Sequence, residues 1–290
     1  MKWLELFAGI GGASAALRGH GEVVRAVDQS PYAVQVYRHN FPHPVESWNI
    51  AGARAAQLEG ADAWWMSPPC QPFTVRGAVR DLDDPRCRPL LRLFELLPVV
   101  RPQVLALENV AGFRTSRARL HVLKVLSDAG YHSRELELCP TSLGVPNRRR
   151  RYYLVASLQP LPEHPPLRST DRPLAAYLDA APDPSLYVEP ALIDRYRHAL
   201  PVVDAEDPDA ITFCYTSAYG RSPVHSGSYV RDRVGVRRLD PSEILRLLCF
   251  PEDYRLPVDV DRARAWGLVG NSLSVAAVRH VLAPVVGLSA

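Results

Sequence analysis

The first 157 residues alternate between short apolar strands and helices, and this alternation constrains the fold more than any other feature of the sequence. Alternating strands and helices build a mostly parallel sheet with helices on both faces, which binds ligands beyond the carboxyl ends of its strands. We therefore expect an α/β protein with a mostly parallel sheet. The predicted strands are Lys2–Phe7, Val23–Val27, Asp62–Ser67, Val104–Leu107, Tyr131–Leu138 and Tyr152–Ser157, and the predicted helices are Ala13–Arg18, Tyr32–Asn40, Leu90–Val100 and Leu120–Ala129.

The pattern changes after Ser157. Prolines crowd the segment Gln159–Pro166, and the residues from 159 to 238 form short, polar, proline-interrupted stretches. Such a stretch is typical of a domain edge followed by a small irregular domain. We expect one domain of residues 1–158 plus 262–290 and a second, small irregular domain of residues 159–261.

Two helices are predicted near the end of the chain. The run Asp240-Pro241-Ser242-Glu243 has an N-cap acid, a proline at the first helical position and a glutamate at the third. It predicts a helix that ends near Cys249. The pair Asn271-Ser272 predicts the start of a last helix, Leu273–Leu282, which returns to the first domain.

Composition sets only loose bounds on function. The chain has 290 residues, 47% of them hydrophobic, and a net charge of +3, which by itself does not indicate a nucleic-acid partner. It has no uninterrupted apolar run of 18 residues and no secretory signal pattern, so we expect no membrane contact. Its five cysteines are widely spaced and form no Cys-x-x-Cys pair, so we expect no metal, no disulfide and a cytoplasmic location. We also expect a monomer.

A glycine-rich turn follows the first strand. The spacing Phe7-x-Gly9-x-Gly11-Gly12 lacks the third glycine of the dinucleotide fingerprint, so the turn alone is as consistent with a tight structural turn as with a cofactor loop. Asp28 follows the second strand, about 20 residues on, where a carboxylate can accept ribose hydroxyls. Together the two features favour a cofactor that contains adenosine.

The octapeptide Ser67-Pro68-Pro69-Cys70-Gln71-Pro72-Phe73-Thr74 follows the predicted strand Asp62–Ser67. Proline fixes φ and removes a backbone donor, so this loop is stiff and presents a thiol. A lone cysteine is more often an inert core residue. Its place between prolines, just past a strand end, favours a nucleophile instead.

Two further groups stand at strand ends. Glu108-Asn109-Val110 follows an apolar strand, where Glu108 is either a solvated carboxylate or an acid close to Cys70. In the run Arg148–Arg151, alternation places Arg149 and Arg151 on the opposite face from the other two. We expect Arg149 and Arg151 to point at one site, and Arg148 and Arg150 to be solvated.

Residues 212–238 combine positive charge with aromatic side chains. The segment has five arginines against one aspartate, and Phe213, Tyr215, Tyr219 and Tyr229 are interleaved with them. Arginines and aromatic faces suit a nucleic-acid strand with unstacked bases. The alternative is a polar domain rim in a chain whose positive charges are nearly all arginine.

Taken in order, these motifs resemble those of the cytosine-5 methyltransferases that use S-adenosylmethionine, and the resemblance covers nearly the whole chain. The motifs that carry this resemblance are the turn Leu4–Gly12, the Pro-Cys loop Ser67–Phe73, Glu108-Asn109-Val110, Asn147–Arg151 with Asn in place of Gln, Arg238-Leu239 to Phe250-Pro251, and Gly270-Asn271-Ser272. Thr141–Asn147 and Cys214-Tyr215-Thr216 with Tyr219-Gly220 are similar to the branch that methylates aspartate tRNA, although that branch usually has Cys-Phe-Thr.

The resemblance implies a Rossmann-like class I methyltransferase fold, and it assigns roles to individual residues. Cys70 would add to carbon 6 of cytosine, Glu108 would hold a ring nitrogen, Arg151 would bind the base carbonyl and Arg149 would support the loop. S-adenosyl-L-methionine would bind at Phe7, Ala8, Gly9, Gly11, Asp28, Asn49, Ile50, Pro68, Asn271 and Ser272. The substrate would contact Pro69, Gln71, Thr74, Asn109, Cys214, Tyr215, Thr216, Tyr219 and Arg221.

The nature of the nucleic acid stays open between tRNA and DNA, and we favour tRNA. Only 79 residues lie between Ser157 and Arg237, where sequence-specific DNA enzymes of this family usually place a substantial recognition domain. Two other classes of protein remain as alternatives. A nicotinamide oxidoreductase would leave the Pro-Cys loop and Glu-Asn-Val unexplained, and a non-catalytic nucleic-acid-binding module would not need Cys70, Glu108 and Arg151.

Overall fold

A computed structural model describes residues 1–74 and 80–287, which form two compact units. Unit 1 comprises Met1–Leu138, Arg150–Pro166 and the chain from Val278 onward, and unit 2 comprises Cys139–Arg149 and Leu167–Ala277. These bounds differ from the predicted domains because the segment Cys139–Arg149 groups with unit 2, and the chain returns to unit 1 only at Val278.

Unit 1 is built on a seven-stranded sheet with the order β3-β2-β1-β4-β5-β8-β6. Strands β1 to β5 are parallel to one another, and β8 runs antiparallel between β5 and β6. The predicted α/β class with a mostly parallel sheet is confirmed. The strands are β1 (Lys2–Leu6), β2 (Glu22–Val27), β3 (Val45–Glu46), β4 (Ala63–Met66), β5 (Val104–Val110), β6 (His132–Leu138) and β8 (Arg151–Ser157).

The strand order places a topological switch point between β1 and β4. From β1 the chain moves outward through β2 and β3, and it then returns to β4 on the other side of β1. Ligands of open α/β sheets bind beyond the carboxyl ends of the strands at such a point. The glycine-rich turn follows β1 and the Pro-Cys loop follows β4, so both loops flank it.

The helices of unit 1 cover this sheet, and their ends follow local sequence signals. Ser30 caps α2 through its side chain, Pro31 occupies the first position, and Ser116 caps α4 in the same way. Gly130, just past α4, has φ of 81°, as expected for the residue that closes a helix. The helices are α1 (Gly12–Leu17), α2 (Pro31–Asn40), α3 (Arg88–Val100), α4 (Arg117–Asp128) and α8 (Val275–Val286), which belongs to unit 1 from Val278.

The core of unit 1 lies between β1, β4, β5 and β8 and the helices α3 and α4. Outside this core, α8 contacts α1: the guanidinium of Arg279 in α8 donates to the carbonyls of Ala15 and Ala16 at 3.3 and 3.4 Å. This pair of contacts joins the last helix to α1, the helix that follows the glycine-rich turn.

Unit 2 has little regular structure. Its strands are β7 (Asn147–Arg148) with β10 (Thr212–Phe213), and β9 (Val202–Asp204) with β11 (Tyr229–Arg231) and β12 (Val236–Arg237). The buried Arg237 guanidinium pairs with Glu243 at 2.8 and 2.9 Å, so the two charges compensate each other inside the unit. Its helices are α5 (Pro190–Arg195), α6 (Pro241–Leu247) and α7 (Arg262–Asn271).

The end of the chain confirms one predicted helix start and corrects another. Asp240 caps α6, and Glu243 completes the capping box as expected. Asn271 and Ser272 do not begin a helix; they end α7, which Asp261 caps, and the last helix begins at Val275. Asn and Ser favour helix starts because their side chains can bond to nearby backbone N–H groups. Here Asn271 is instead the last residue of the preceding helix, α7.

Short 3₁₀ segments connect the larger elements. They occur at Ile50–Gly52, Ala55–Gln57, Gln71–Phe73, Asp81–Asp83, Pro85–Cys87, Ala111–Thr115, Pro140–Leu143, Leu174–Tyr177 and Pro184–Leu186.

One stretch, Arg262–Val286, is long and apolar enough to cross a membrane by length and composition. The structure divides it into α7 and α8, and 56% of its apolar window is buried inside the protein. Mostly buried core helices pass the same test, so this finding is weak evidence for a membrane segment.

Candidate active site

The glycine-rich turn that follows β1 contains several residues with left-handed backbone. Phe7 has φ of 57° and Gly9 has φ of 54°, a region that is costly for a residue with a side chain and free for glycine. The Ala8 N–H donates to the Val27 carbonyl at 2.9 Å, which ties the turn to the end of β2. Strained backbone concentrates at functional sites, and Phe7 is such a residue.

Asp28 joins the turn from the neighbouring strand. Its carboxylate accepts the Gly9 N–H at 2.8 Å on one oxygen and the Ser30 N–H at 2.8 Å on the other. Burial raises the pKa of Asp28, and the N–H groups of Ser30 and Gly9 partly offset that rise. Each carboxylate oxygen has two lone-pair sites, so the group retains capacity to accept ligand hydroxyls.

The turn fits an adenosine-containing cofactor. Among the described residues, a Cβ built on Gly9 would meet no atom within 4 Å, so open space borders the turn next to the Asp28 carboxylate. Asn49 is exposed and caps the short helix Ile50–Gly52, whereas Ile50 is buried in the core of unit 1. Pro68 and Ala8 are both buried, which means that both would contact a cofactor mainly through backbone.

The Pro-Cys loop is fixed on both sides of Cys70. Before it, the Pro68 carbonyl accepts the side-chain amide of the buried Asn109 at 3.2 Å. After it, the Phe73 ring packs edge-on against Phe113, with centroids 4.9 Å apart. Both anchors come from the segment that begins with Glu108, so the loop is held against the end of β5.

Gly112 permits the closest part of this contact. A Cβ at this position would lie 2.2 Å from the Phe73 carbonyl oxygen, so a larger residue would push the loop away. The sequence analysis missed Gly112 and Phe113, since a glycine and a phenylalanine after a strand give no signal of what they touch.

Arg86 is a third residue that the sequence analysis missed. Its guanidinium donates to Asp84 at 2.9 and 2.6 Å. The hydrogen bond to Asp84 raises the pKa of Arg86, and a weaker electrostatic interaction with Cys70 adds to it. The sequence signal that could have indicated Arg86 is the run Asp84-Pro85-Arg86, in which Asp84 caps the short helix Pro85–Cys87.

Glu108 pairs with Arg151 across two antiparallel strands. Arg151 Nε lies 3.2 Å from Glu108 Oε1, and both side chains are largely shielded from solvent. The expectation that Glu108 follows the end of its strand is wrong. Strand β5 continues to Val110 because β8 provides an antiparallel partner, and Val110 is paired with Arg151.

The alternation of the arginine run is confirmed, with Arg148 and Arg150 exposed and Arg149 buried. The Arg149 guanidinium donates to the carbonyls of Tyr215, at 2.9 Å, Gly270, at 3.3 Å, and Ser272. It also lies 3.2 Å from the Cys214 sulfur. These partners all belong to unit 2, so Arg149 helps to hold the loops of that unit together.

The segment Gly270-Asn271-Ser272 lies at the end of α7. A Cβ on Gly270 would lie 2.2 Å from the Thr216 carbonyl oxygen, so only glycine permits this approach. Asn271 is exposed and Ser272 partly exposed, and the Ser272 carbonyl is occupied by Arg149. Both residues lie in unit 2, whereas the glycine-rich turn lies in unit 1.

Two of the predicted substrate-binding residues are buried in an aromatic cluster of unit 2. The rings of Tyr215 and Tyr219 pack edge-on at 4.9 Å, and Tyr219 also contacts Tyr229 and Trp266. None of the three tyrosines offers a face for a base, because each is at most 1% exposed. The interpretation of Tyr215 and Tyr219 as base contacts is therefore corrected, and Phe213 alone of the four interleaved aromatics is exposed.

The remaining predicted substrate contacts differ in exposure. Asn109 is buried and its amide serves the Pro-Cys loop, so it acts by positioning. Gln71 and Arg221 are exposed, and Pro69, Thr74, Cys214 and Thr216 are partly exposed. Thr74 and Arg221 each donate to a carbonyl of their own loop, at 3.2 and 2.8 Å. Within residues 1–74 and 80–287, no group of three or more His, Cys, Asp or Glu side chains could hold a metal ion.

The structure thus brings together two groups of predicted residues in unit 1. Phe7, Gly9 and Asp28 form a turn with an acceptor beside open space. The Cys70 thiol lies on a loop that Asn109 anchors. Glu108, next to Asn109 in β5, pairs with Arg151 of β8. A thiol on a fixed loop and a shielded carboxyl group on the strand that anchors this loop are suited to covalent addition to an activated ring.

Comparisons with known proteins agree with this chemistry. The family model described as C-5 cytosine-specific DNA methylase matches residues 1–183. A Bos taurus tRNA (cytosine(38)-C(5))-methyltransferase is 28% identical, over 99% of this chain and 98% of the relative. The Schizosaccharomyces pombe Dnmt2 methyltransferase structure superimposes with a TM-score of 0.85 at 28% identity, covering 97% of each chain. An Entamoeba histolytica methyltransferase has the same fold, with a TM-score of 0.91 at 24% identity over 98% of this chain and 97% of that one.

Proposed function

Because the chain belongs to the C-5 cytosine-specific DNA methylase family, we propose that it methylates carbon 5 of cytosine in tRNA, with Cys70 as the covalent nucleophile. The observation that carries this proposal is the fixing of the Pro-Cys loop against the strand of Glu108. The anchors at Pro68 and Phe73 hold the thiol on a rigid backbone, as a nucleophile requires.

We propose that S-adenosyl-L-methionine binds at the switch point of unit 1. Phe7, Ala8, Gly9 and Gly11 would form the turn around it, and Asp28 would accept its ribose hydroxyls. Asn49, Ile50 and Pro68, with Asn271 and Ser272 of unit 2, complete the proposed set. When bound, this cofactor supplies an electrophilic methyl group on a sulfonium sulfur.

The residues of unit 1 would activate the cytosine. Carbon 5 is a poor nucleophile until a thiolate adds to carbon 6, because that addition breaks the 5,6 double bond and moves its electrons toward carbon 5. Glu108 would hold the proton at the ring nitrogen, and Arg151 would orient Glu108 and bind the base carbonyl. Once carbon 5 carries the methyl group, transfer of its proton to a general base would re-form the 5,6 double bond and release the Cys70 thiolate. Arg149 would act indirectly, by holding the loops of unit 2.

Three observations support tRNA as the substrate. The segment between Ser157 and Arg237 has only 79 residues, which leaves little surface for reading several base pairs in a major groove. The Bos taurus relative, aligned over nearly the whole chain, is named for a cytosine in tRNA. A cytosine in a tRNA loop is also partly unstacked, so moving it into an active site costs less free energy than flipping it from a duplex.

DNA is the second candidate substrate, and the description of the matching family favours it. We further propose that the protein is a cytoplasmic monomer. No disulfide joins any two of the five cysteines, all of which lie in the described part of the chain, as expected in a reducing compartment. Size-exclusion chromatography with light scattering would test the monomer.

Direct competition tests the choice of substrate. Purified protein and labelled S-adenosylmethionine are incubated with equal moles of sites in transcribed aspartate tRNA and in duplex DNA. We expect methylation of tRNA at a rate well above that of DNA, and no transfer to either by Cys70→Ser. Faster methylation of DNA, with tRNA at background, would overturn tRNA as the substrate and leave the proposed chemistry standing.

A further inference from the structure

Arg148 and Phe213 form an exposed pair on unit 2. The Arg148 guanidinium carbon lies 5.6 Å from the centroid of the Phe213 ring, within the range of a cation–π contact. The Phe213 side chain is 46% exposed, whereas Tyr215, Tyr219 and Tyr229 of the same unit are at most 1% exposed. This pair lies outside the residues assigned above to cofactor or catalysis.

The strand register explains why the two side chains face solvent together. Strands β7 and β10 are parallel, with Asn147 paired to Thr212 and Arg148 paired to Phe213. Paired residues share a face of the sheet, and successive residues alternate between faces. Asn147 and Thr212 are buried, so Arg148 and Phe213 are on the opposite, exposed face.

The backbone beneath this pair is fixed by buried polar groups. The Phe213 N–H donates to the Ser228 hydroxyl at 2.8 Å, and the Phe213 carbonyl accepts from the Asn147 amide at 3.2 Å. The Asn147 amide also donates to the Thr212 hydroxyl at 2.9 Å. The ring is therefore held in place before any ligand arrives, which reduces the entropy lost on binding.

We propose that Arg148 and Phe213 form a platform on which an unpaired base of the RNA substrate stacks. This inference rests on the proposed tRNA substrate. An aromatic ring gives a base a stacking surface, and arginine adds a planar cation that contacts the base or its phosphate. Arg148 suits this role because it has no salt bridge within residues 1–74 and 80–287, so its charge is not compensated there.

Substitution of the ring tests the stacking. Fluorescence anisotropy of labelled, transcribed aspartate tRNA would measure the Kd of Phe213→Leu, which keeps apolar volume and removes the π face. We expect the Kd to rise about tenfold, from the loss of one base–aromatic stack. Phe213→Trp keeps the π face and should bind at least as tightly as wild type.

The charge is tested by salt dependence. Arg148→Gln should reduce the slope of log Kd against log salt concentration by about 0.7, the value for one phosphate contact on a single strand. Val234→Ala is the matched control, because Val234 is an exposed apolar residue of the same unit, 78% exposed. It should leave both the Kd and the slope unchanged.

Two failures are distinguishable. If wild type binds and methylates tRNA but Phe213→Leu matches it in affinity, the platform is wrong and the proposed function stands. If wild type methylates duplex DNA and does not bind tRNA, the proposed substrate is wrong and the platform with it. Circular dichroism and cofactor binding of each variant would show that a change in tRNA affinity does not arise from misfolding.

Discussion

The side-chain amide of Asn109 donates to the carbonyl oxygen of Pro68 at 3.2 Å, and this bond ties the strand of Glu108 to the loop of Cys70. Asn109 is buried, and its own amide oxygen accepts the Val110 N–H at 2.9 Å. The asparagine therefore fixes the spacing between the thiol loop and the acid without touching the reacting atoms itself.

Replacing Asn109 should slow methyl transfer and spare cofactor binding. Asn109→Ala leaves the Pro68 carbonyl without this donor, which should lower the free energy of unfolding by about 1–3 kcal/mol. The rate should fall because Cys70 loses a fixed position. Asn40→Ala is the control, since Asn40 also donates an amide to a carbonyl, that of Val36, at 2.8 Å. Equal rates for the two variants would contradict a positioning role.

Substitutions of Glu108 and Arg151 should have non-additive effects on kcat, because the two side chains act as a pair. Glu108→Gln and Arg151→Gln should each lower kcat about 10²-fold or more, the usual contribution of a positioned acid or base. The double variant should be little slower than the slower single variant, because the two side chains share a function. Arg150→Gln is the control: Arg150 is exposed and pairs with Glu137, so it should stay near wild type. Additive losses would argue for independent roles.

The thiols should differ sharply in reactivity. Burial raises the pKa of Cys87 to about 12, and the nearby Asp81 and Asp84 add to the rise. The Cys87 thiol is therefore almost entirely protonated at pH 8, whereas Cys70 is partly exposed. Limited treatment with iodoacetamide followed by peptide mass spectrometry should label Cys70 before Cys87. A substrate that contains 5-fluorocytosine should be trapped on Cys70. An adduct on Cys87 or Cys214 would refute the assignment of Cys70 as the nucleophile.

Asp28 should determine cofactor affinity. Asp28→Ala removes the acceptor of the Gly9 N–H and the proposed acceptor of the ribose hydroxyls. Calorimetry should show S-adenosylmethionine binding weakened at least tenfold, as expected for loss of hydrogen bonds to a charged group. Asp62→Ala is the control, because Asp62 also accepts a backbone N–H, that of Lys2, at 2.8 Å and is far along the chain from the turn. Unchanged affinity in Asp28→Ala would remove the ribose assignment.

Glu5 should make stability depend on pH. It is buried in β1, accepts the N–H groups of Ala13 and Ser14, and also bonds to the hydroxyls of Ser14 and Tyr37. Burial raises the pKa of Glu5 from 4.5 to about 7, and these hydrogen bonds oppose the rise. The folded state thus binds the proton more tightly than the unfolded state. This stabilisation is complete below pH 4.5 and is lost as the pH rises to about 7.

Urea unfolding at several pH values would measure this effect. Between pH 4.5 and 7, the free energy of unfolding of wild type should fall relative to that of Glu5→Gln by up to about 3 kcal/mol. His43, which contacts Tyr37, contributes in the opposite sense because burial lowers its pKa, and it is present in both proteins. Glu22→Gln, an exposed position in β2, should follow wild type. Parallel curves for wild type and Glu5→Gln would refute the shift.

Most of the sheet could be predicted because strand–helix alternation and caps such as Ser30 are local signals. The ends of the predicted strands differ from the observed ones by at most one residue, except at β5. There the ladder with β8 extends the strand through Glu108, and a periodicity argument does not include the partner strand. Local signals also missed α7, because Asn271-Ser272 looked like a helix start.

The site was predictable where a residue's chemistry defines its role and not where its packing does. Cys70, Asp28 and Glu108 stand out by residue type and place in the chain. Whether Tyr215 faces solvent or the core depends on contacts with residues distant in sequence, such as the Tyr219–Trp266 pair. The same holds for Gly112, because the need for glycine there comes from the close approach of the Phe73 carbonyl.

The interleaving of the two units has a consequence for synthesis on the ribosome. Unit 1 is assembled from three stretches of chain, and the last begins at Val278, after the whole of unit 2 has been translated. The contacts of Arg279 with Ala15 and Ala16 therefore form late, so α1 and the turn before it wait for the final helix. No fragment cut from one continuous stretch contains either unit alone. A truncated chain should thus be a target for chaperones and proteases, because it leaves a sheet partly uncovered.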